Sequence, residues 1–351
     1  MPKSGDGKYA ITQDFVTQMI DWFKEGKKIP RRFAWEIVLG AHAQFSKEES
    51  LVQINLGEGE TCDVIGDVHG ISHGFIIGQL YDLLHLYSLT GAPKADHYLL
   101  MNGDLVDRGS WSIEVILIAF AYKWLYPNRM FINRGNHEAK EMNRTYGFEG
   151  EAKHKHGEQT YKLFAHVFTT MPLATLVSAT ERPGNVNTKT ILSPEGFKRY
   201  FVVHGGLFSK DNVTLDDVRK IPRIGRQPGQ EGLMCELLWT DPQEAPGRGP
   251  SKRGVGISFG PDVTKAWCTL NGVTGVIRSH EVRADGYAVE HDGLCITVFS
   301  APNYVDQVGN KGAYIRIDAS GDLRYHQFEA QPHPPIKPMA YAMGGLASLM
   351  M

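Results

Sequence analysis

Polar side chains that can bind metal ions follow five apolar stretches of this sequence. They are Asp67, His69, Asp104, Asn136, His204 and His280. Carboxylate oxygen, imidazole nitrogen and amide oxygen suit Mn, Fe, Zn or Mg, and the set contains no thiolate of the kind that soft metals prefer. The segments read CDVIGDVHG at 62–70, YLLMNGDLVDRG at 98–109, MFINRGNHE at 130–138, YFVVHGG at 200–206 and GVIRSHE at 275–281. Their chemistry predicts a metal site assembled from distant parts of the chain.

Six protein ligands are too many for one catalytic ion, because such an ion keeps an open position for water or substrate. They suit two ions if one carboxylate bridges them. The assignment is Asp67, His69 and Asp104 for one ion, and Asp104, Asn136, His204 and His280 for the other. In phosphatases and related enzymes, two ions about 3.5–4 Å apart acidify a shared water and stabilise both oxygens of an in-line displacement. The ligand set therefore predicts phosphoester hydrolysis.

Residues next to the ligands have the types that phosphate chemistry needs. Arg108, four residues after Asp104, offers a planar fork to phosphate oxygens. His137 follows Asn136 and would act as the general acid, since a serine alkoxide is a poor leaving group at neutral pH unless it is protonated. Asp107 is expected to keep the imidazole of His137 charged and oriented. The alternative for Asp107 is a cap of a helix or turn.

Two residues further along the chain are candidates for additional contacts to phosphate. Arg253 lies in an SKRG motif and Tyr304 in an APNY motif. Arg253 could instead form a salt bridge between a loop and a carboxylate, and Tyr304 could be a packed aromatic side chain. The remaining histidines are expected to be structural or at the surface.

The elements that must position these residues are short buried strands. Each apolar stretch ends in a polar turn, a pattern typical of strands that run into functional loops. A sixth stretch, CITVFSAPNY at 295–304, ends at a tyrosine. Helical patterns occur at 113–126 and 161–168, so we expect an α+β fold with a sheet core covered by helices. In sheet-based folds the carboxyl ends of strands open onto one crevice, where distant ligands can meet.

Three regions are expected along the chain. Residues 1–50 contain two helical stripes, before and after Pro30, and are predicted to be a linker with packing helices. Residues 51–330 are predicted to form the catalytic domain. Residues 331–351 are predicted to be a C-terminal tail or helix.

Composition indicates an ordinary globular protein, with 42% hydrophobic and 22% charged residues. Lys and Arg number 37 and Asp and Glu 39, a net charge of 37 − 39 = −2, so no bulk positive field would attract nucleic acid or an anionic membrane. The four cysteines lack C-x-x-C spacing, which argues against a thiolate zinc site and a disulfide scaffold. No secretory signal is evident. We therefore expect a monomer in the cytoplasm or nucleus, without nucleic-acid or membrane partners.

The motifs G-D-x-H-G, G-D-x-x-D-R-G, G-N-H-E and H-G-G, in this order, resemble those of the phosphoprotein phosphatase family of metal-dependent serine/threonine phosphatases. The segments YGFEGE at 146–151, SKRGVG at 251–256 and FGPDVTKA at 259–266 are similar to the type-five branch of that family. The resemblance implies a calcineurin-like metallophosphatase fold, with a central β-sandwich of two mixed sheets flanked by helices. It also implies dephosphorylation of serine and threonine side chains of phosphoproteins, by direct attack of a water that two divalent ions activate.

At matching positions, the resemblance implies the same site residues. The metal ligands are those assigned above, and Mn²⁺ is expected to support activity in vitro. His137 is the general acid and Asp107 supports it. Phosphate contacts come from Arg108, Arg253 and Asn136, with Tyr304 nearby.

Members of the type-five branch resemble one another in carrying an N-terminal helical-repeat (TPR) domain, which binds heat-shock chaperones and blocks the active site. We expect no such domain in this sequence. We therefore expect a catalytic region that is active without release by a lipid or a chaperone. The apolar, Met-rich residues 337–351 are a candidate for the element that such a domain contacts.

Three features depart from the family pattern. A segment at 71–78 separates G-D-x-H-G from Gln79, and it could reshape the site. A second segment at 181–198 is predicted to be a surface loop. Val305 stands where the family often has cysteine, so inhibitors that attach covalently to that cysteine are not expected to react here. Apart from these departures, the Gly- and Pro-rich stretches at 181–194 and 241–256 are predicted to be mobile.

Two other functions are compatible with these residues. A metallophosphoesterase with the same pair of ions could act on a nucleotide or another small phosphate ester, although SKRG and APNY favour a protein substrate. A scaffold could keep the fold without activity, with the segment at 71–78 as the cause. The presence of all six ligands and of His137 argues against the scaffold. Turnover of a phosphopeptide and of a nucleotide, measured side by side, distinguishes the two enzymes.

Overall fold

The computed structural model describes Met1 and residues 9–69, 79–184, 190–304 and 308–332. The helices are α1 (Gln13–Lys24), α2 (Arg31–Phe45), α3 (Gln79–Thr90), α4 (Ser112–Leu125), α5 (Lys140–Tyr146), α6 (Phe148–His156), α7 (Glu158–Val167), α8 (Leu215–Arg219), α9 (Leu233–Trp239) and α10 (Pro261–Asn271). The strands are β1 (Leu51–Leu56), β2 (Thr61–Ile65), β3 (His97–Met101), β4 (Met130–Ile132), β5 (Ala174–Ala179), β6 (Arg199–Val203), β7 (Asp241–Pro242), β8 (Arg248–Pro250), β9 (Ile257–Phe259), β10 (Gly275–Arg278), β11 (Tyr287–Glu290), β12 (Cys295–Val298), β13 (Gly312–Asp318) and β14 (Leu323–Phe328). The predictions for 71–78, Val305, 337–351 and part of the loop at 181–198 (185–189) concern residues outside these ranges.

Two mixed sheets pack face to face. One has the strand order β1-β5-β6-β10-β12-β11 and the other the order β14-β13-β2-β3-β4. In the second sheet β2, β3 and β4 run parallel, whereas β13 runs antiparallel to β2. Apolar side chains from the two inner faces form a shared core, with Val64 and Leu100 from one sheet and Val202 and Ile277 from the other. The predicted sandwich of two mixed sheets is therefore confirmed.

A third sheet of three strands, in the order β7-β9-β8, was not expected. It lies at 241–259, most of which we predicted to be a mobile stretch from its Gly, Pro and polar content. Its strands have two or three residues each, which is too short to show the alternation of apolar and polar residues that identifies a strand. The sheet is relevant to function because the turn between β8 and β9 carries Arg253.

Helices cover the outer faces of the sandwich. Helices α1 to α4, α6 and α7 pack on the five-stranded sheet, and α9 and α10 pack on the six-stranded sheet. Helix α4 is buried from Ser112 to Lys123, which explains why it is apolar on all sides. Among the described residues, no helix is both long enough and apolar enough to cross a membrane.

The two sheets bring the ligand-bearing turns together at one edge of the sandwich. These turns follow β2 (Asp67 and His69), β3 (Asp104), β4 (Asn136), β6 (His204) and β10 (His280). The side-chain amide of Asn102, directly after β3, donates hydrogen bonds to the carbonyl oxygen of Val203 at 2.7 Å and to Ser279 Oγ at 2.9 Å. Because both acceptors belong to the other sheet, these bonds fix the two groups of turns against each other.

Candidate dinuclear metal centre

The turns surround a cavity of about 250 Å³ at the edge of the sandwich. Its walls include Asp67, His69, Asp104, Arg108, His137, Arg253, His280 and Tyr304. Asn136 and His204 are buried next to these residues. All of the residues that we predicted for the site are thus brought together.

The first half-site consists of Asp67, His69 and Asp104. The Nε2 atom of His69 lies 3.5 Å from Asp104 Oδ2 and 3.7 Å from Asp67 Oδ2. The Nδ1 atom of His69 donates a hydrogen bond to the carbonyl oxygen of Val106 at 3.1 Å. This bond places the ring proton on Nδ1, so the lone pair of Nε2 points between the two carboxylates, as in a metal ligand.

The second half-site consists of Asp104, Asn136, His204 and His280. His204 Nε2 lies 2.8 Å from Asn136 Oδ1, 3.2 Å from His280 Nδ1 and 3.4 Å from Asp104 Oδ1. His204 Nδ1 donates to the carbonyl oxygen of Asn102 at 2.8 Å, which again leaves Nε2 as the electron donor. The amide oxygen of Asn136 faces only hydrogen-bond acceptors. A cation between these atoms would satisfy all of them, so the donor set fits a metal ion.

Asp104 belongs to both half-sites. Its Oδ2 atom faces His69 and its Oδ1 atom faces His204. Two sets of potential ligand atoms, each within 4.8 Å of one another, share this carboxylate: His69, Asp104 and His137, and Asp104, His204 and His280. The bridging position that we assigned to Asp104 agrees with this geometry. The first set contains His137, for which we predicted a different role.

Electrostatics in the centre favour bound cations. Burial, together with the negative charge of Asp104, raises the pKa of Asp67 to about 7. Burial would lower the pKa of His204, but the carboxylate of Asp104 outweighs it and raises that pKa to about 9. The negative charge of Asp104 contributes to both shifts, and divalent cations can neutralise the buried carboxylates.

His137 and Asp107 form a buried pair next to the first half-site. His137 Nδ1 donates to Asp107 Oδ2 at 2.9 Å, and His137 Nε2 lies 4.0 Å from Asp104 Oδ2. Asp107 Oδ1 also accepts from the backbone N–H of Phe148 at 2.9 Å, at the start of α6. Asp107 therefore orients the imidazole and caps a helix, and both interpretations of this residue hold in the structure. With Nδ1 occupied, Nε2 is the atom of His137 that faces the cavity.

The two arginines reach the cavity from different turns, Arg108 from the turn after β3 and Arg253 from the turn between β8 and β9. Arg108 Nη1 donates to the hydroxyl oxygen of Tyr304 at 2.8 Å, and the Arg108 guanidinium lies 4.7 Å from the ring centre of Tyr146. Arg253 Nε donates to Asp241 Oδ2 at 2.6 Å, and its Nη2 donates to the carbonyl oxygen of His280 at 3.1 Å. Arg253 thus forms the salt bridge that we considered as an alternative, and it also lines the cavity.

Glu138 is a residue of the site that we did not predict. Its carboxylate accepts N–H hydrogen bonds from Asp104 at 2.9 Å, Leu105 at 2.8 Å and Gly135 at 2.7 Å. It holds the turn after β3 against the turn after β4. A Cβ atom at Gly135 would lie 2.2 Å from Asp104 Oδ1, so this close approach requires glycine. The G-N-H-E motif contains both residues and was the available signal.

Four of the eight non-glycine residues with positive φ in the described part of the chain belong to the site. Asp104, Asp107, Arg108 and His280 have φ angles of 55°, 73°, 60° and 70°. Residues other than glycine rarely adopt this left-handed region, and such residues often cluster at functional sites. The turns therefore hold their side chains in position at a conformational cost.

Residues 61–284, more than half of the chain, match the family of calcineurin-like phosphoesterases. This chain belongs to that family. It is 52% identical over 341 residues to serine/threonine-protein phosphatase T of Aspergillus oryzae, and 48% identical over 343 residues to serine/threonine-protein phosphatase 5 of Homo sapiens. These matches cover 97% of this chain, but 66% and 62% of the two relatives. The resemblance that we inferred from the motifs is confirmed.

A solved structure agrees with these matches. A protein serine/threonine phosphatase from Saccharomyces cerevisiae superimposes with a TM-score of 0.82 at 40% sequence identity, covering 94% of this chain and 100% of that one. Residues 3–53 of this chain also match the family description PPP5 TPR repeat region. Helices α1 and α2 occupy most of that stretch, and both pack against α4.

Proposed function

We propose that this chain is a metal-dependent protein serine/threonine phosphatase, which hydrolyses phosphoserine and phosphothreonine with two divalent ions. The observation that carries the proposal is the carboxylate of Asp104, shared between two buried sets of ligand atoms and adjacent to Arg108 and the His137–Asp107 pair. The names of the relatives and their high identity over nearly the whole chain support the same activity.

The first half-site would hold one ion and the second half-site the other. When bound, the ions supply an acidified water and neutralise charge on the phosphate. Oxygen and imidazole donors suit Mn, Fe, Zn or Mg, and we propose Mn²⁺ for activity of the purified protein.

The protein side chains orient the substrate and move the proton. Arg108 and Arg253, with the amide of Asn136, would bind the phosphate oxygens, and Tyr304 would hold the Arg108 guanidinium in place through their 2.8 Å hydrogen bond. His137 Nε2 would donate its proton to the oxygen of the leaving serine or threonine. Burial lowers the pKa of His137 and raises the pKa of Asp107. Both shifts oppose the charged pair, so protonation of His137 Nε2 would depend on the negative charge of the bound phosphate.

The test is a comparison of substrates with one preparation of the Mn²⁺-loaded protein. A phosphoserine peptide, adenosine monophosphate and an aryl phosphate are hydrolysed in parallel, with and without a chelator. We expect kcat/KM to be higher for the phosphoserine peptide than for adenosine monophosphate. The chelator should abolish turnover of all three substrates. A higher kcat/KM for the nucleotide would favour a small-ester phosphoesterase, and no turnover at all would favour the inactive scaffold.

We further propose phosphoproteins of the cytoplasm or nucleus as substrates, and a monomer as the active form. The match at 3–53 supports a contact with heat-shock chaperones through a TPR domain, as implied for the type-five branch. Imaging of the tagged protein in cells tests the location, and an elution volume that corresponds to 39.1 kDa tests the monomer. Co-precipitation of a chaperone only when a TPR domain is linked to this chain would support the partner.

A further inference from the structure

A second pocket, of about 500 Å³, lies across one loop from the metal centre. The loop is the turn between β8 and β9: Arg253 in this turn lines the metal-centre cavity, and Gly256, three residues later, lines the second pocket. Gly256 approaches the backbone of Trp239 and Thr240. The Trp239 ring in turn lies edge-on to the metal ligand His280, with 5.7 Å between ring centres. A peptide bound at the metal centre can therefore reach the second pocket by crossing this turn.

One residue that lines the second pocket has a carboxylate without a partner among the described residues. Glu236, on α9, lines the pocket and is only 8% exposed. Its Oε2 atom is buried and has no hydrogen-bond partner, and no ion pair reaches its carboxylate within the described ranges. A carboxylate in such surroundings is unfavourable unless a hydrogen-bond donor or a cation meets it. The structure thus provides an unmet acceptor on a residue that lines the cavity.

The other walls of the pocket match a long basic side chain. Leu233 and Ile257 supply apolar surface against which an aliphatic stem can pack, and Glu231 adds a second, exposed carboxylate at the rim. Lys210 is also at the rim, but it is exposed and makes no ion pair within the described residues. A divalent ion is a poorer fit, since hard cations require about six oxygen ligands. A guanidinium or ammonium group needs only the carboxylate for its charge and the apolar walls for its aliphatic stem.

We propose that this pocket binds an arginine or lysine side chain of the phosphoprotein substrate, close in sequence to the phosphorylated residue. The proposal rests on the phosphatase activity proposed above and deepens it, because it names a class of substrate: phosphorylation sites with a basic neighbour. Glu236 is the residue that recognises the positive charge. Arginine fits better than lysine, because its planar fork can donate two hydrogen bonds to one carboxylate.

The test uses pairs of phosphoserine peptides with one arginine on an alanine and glycine background. The arginine is placed in turn at each position within about six residues on either side of the phosphoserine, a reach of roughly 20 Å in extended chain. In the partner peptide citrulline replaces arginine, which keeps the shape and removes the charge. At one or two adjacent positions, we expect kcat/KM to be about tenfold higher for the arginine peptide than for the citrulline peptide, a difference of about 1.4 kcal/mol. In Glu236→Gln, the ratio of kcat/KM for the arginine peptide to kcat/KM for the citrulline peptide at those positions falls to about one.

Glu244→Gln is the matched control, because Glu244 is an exposed carboxylate outside this pocket. It is expected to keep the tenfold ratio. A ratio of one at every position in the unmodified protein would overturn the proposal without any variant, and so would an unchanged ratio in Glu236→Gln. If the proposed phosphatase function is wrong, the result is different: neither the peptides nor an aryl phosphate are hydrolysed. That result would overturn both proposals.

Discussion

The two half-sites of the metal centre are held in place in different ways. The first depends on neighbouring turns of one sheet, because the backbone N–H of His69 donates to the carbonyl oxygen of Asp104 at 3.1 Å and its Nδ1 donates to that of Val106, which ties the turn after β2 to the turn after β3. The second depends on contacts between the two sheets. His204 donates to the carbonyl oxygen of Asn102 in the other sheet, and the backbone N–H of His280 donates to Asp67 Oδ1 at 3.0 Å. One half-site is thus local, whereas the other exists only while the sandwich is closed.

Because of this difference, the two ions should respond differently to substitutions of the residues that position their ligands. Asp104 is the shared element, so damage to it should affect both half-sites. Damage to Glu138 should also affect both, because it holds the turns of Asp104 and Asn136, whereas damage to Asn102 should affect mainly the second. The following predictions test this comparison, beginning with the largest expected effect.

Asp104→Asn should remove the distinction between the half-sites by weakening both. The amide lacks the negative charge that two cations would share, so bound metal should fall from two ions to fewer than one per chain. We expect kcat/KM to fall by at least ~10³-fold, or about 4 kcal/mol. Elemental analysis and steady-state kinetics on a phosphoserine peptide are the measurements. Full metal content and an unchanged rate would disprove the bridging role.

His137→Gln decides whether His137 is a third ligand of the first half-site or the general acid. As the acid, its loss should leave two ions bound and lower kcat for a phosphoserine peptide by about 10²–10⁴-fold. The loss should be smaller for an aryl phosphate, because a phenolate leaves readily without a proton. If the variant instead loses one ion, His137 is a ligand.

Glu138→Gln and Asn102→Leu should differ in the number of half-sites that they weaken. Residues that orient metal ligands typically contribute 10–100-fold to metal affinity. Glu138→Gln should lower the occupancy of both half-sites, because Glu138 holds the turns that carry Asp104 and Asn136. Asn102→Leu, which removes two hydrogen bonds between the sheets, should lower mainly the occupancy of the second. Anomalous scattering from crystals with limiting Mn²⁺ reports each position, and equal losses at both positions in Asn102→Leu would show that the half-sites are not held independently.

Metal binding should release protons from both half-sites. Asp67 has a pKa of about 7 and His204 a pKa of about 9, so below these values a proton competes with the cation. The apparent affinity for Mn²⁺ should therefore rise with pH between about 6 and 9, by at most tenfold per unit for each proton released. Competition with a chelator at several pH values measures the slope. A flat profile would mean that the carboxylates and imidazoles are not the ligands.

The sequence indicated the strands and the candidate ligands because each ligand follows an apolar stretch within a short motif. Asp104 and His280 could be placed at strand ends without knowledge of the tertiary structure. The role of Glu138 could not, since its three N–H partners come from two turns about 30 residues apart. The three-stranded sheet was missed because its short strands carry no periodic pattern. The second pocket depends on the burial of Glu236, which no local pattern reports.

The left-handed backbone of Asp104, Asp107, Arg108 and His280 has a consequence for the stability of the whole protein. Each such residue costs of order 1–3 kcal/mol, and a ligand that binds only the folded state offsets such a cost in proportion to the logarithm of its concentration. Removal of divalent ions should therefore lower the free energy of unfolding by a modest amount. The melting temperature would then follow the supply of metal, and a chelator would shorten the lifetime of the fold as well as stop turnover.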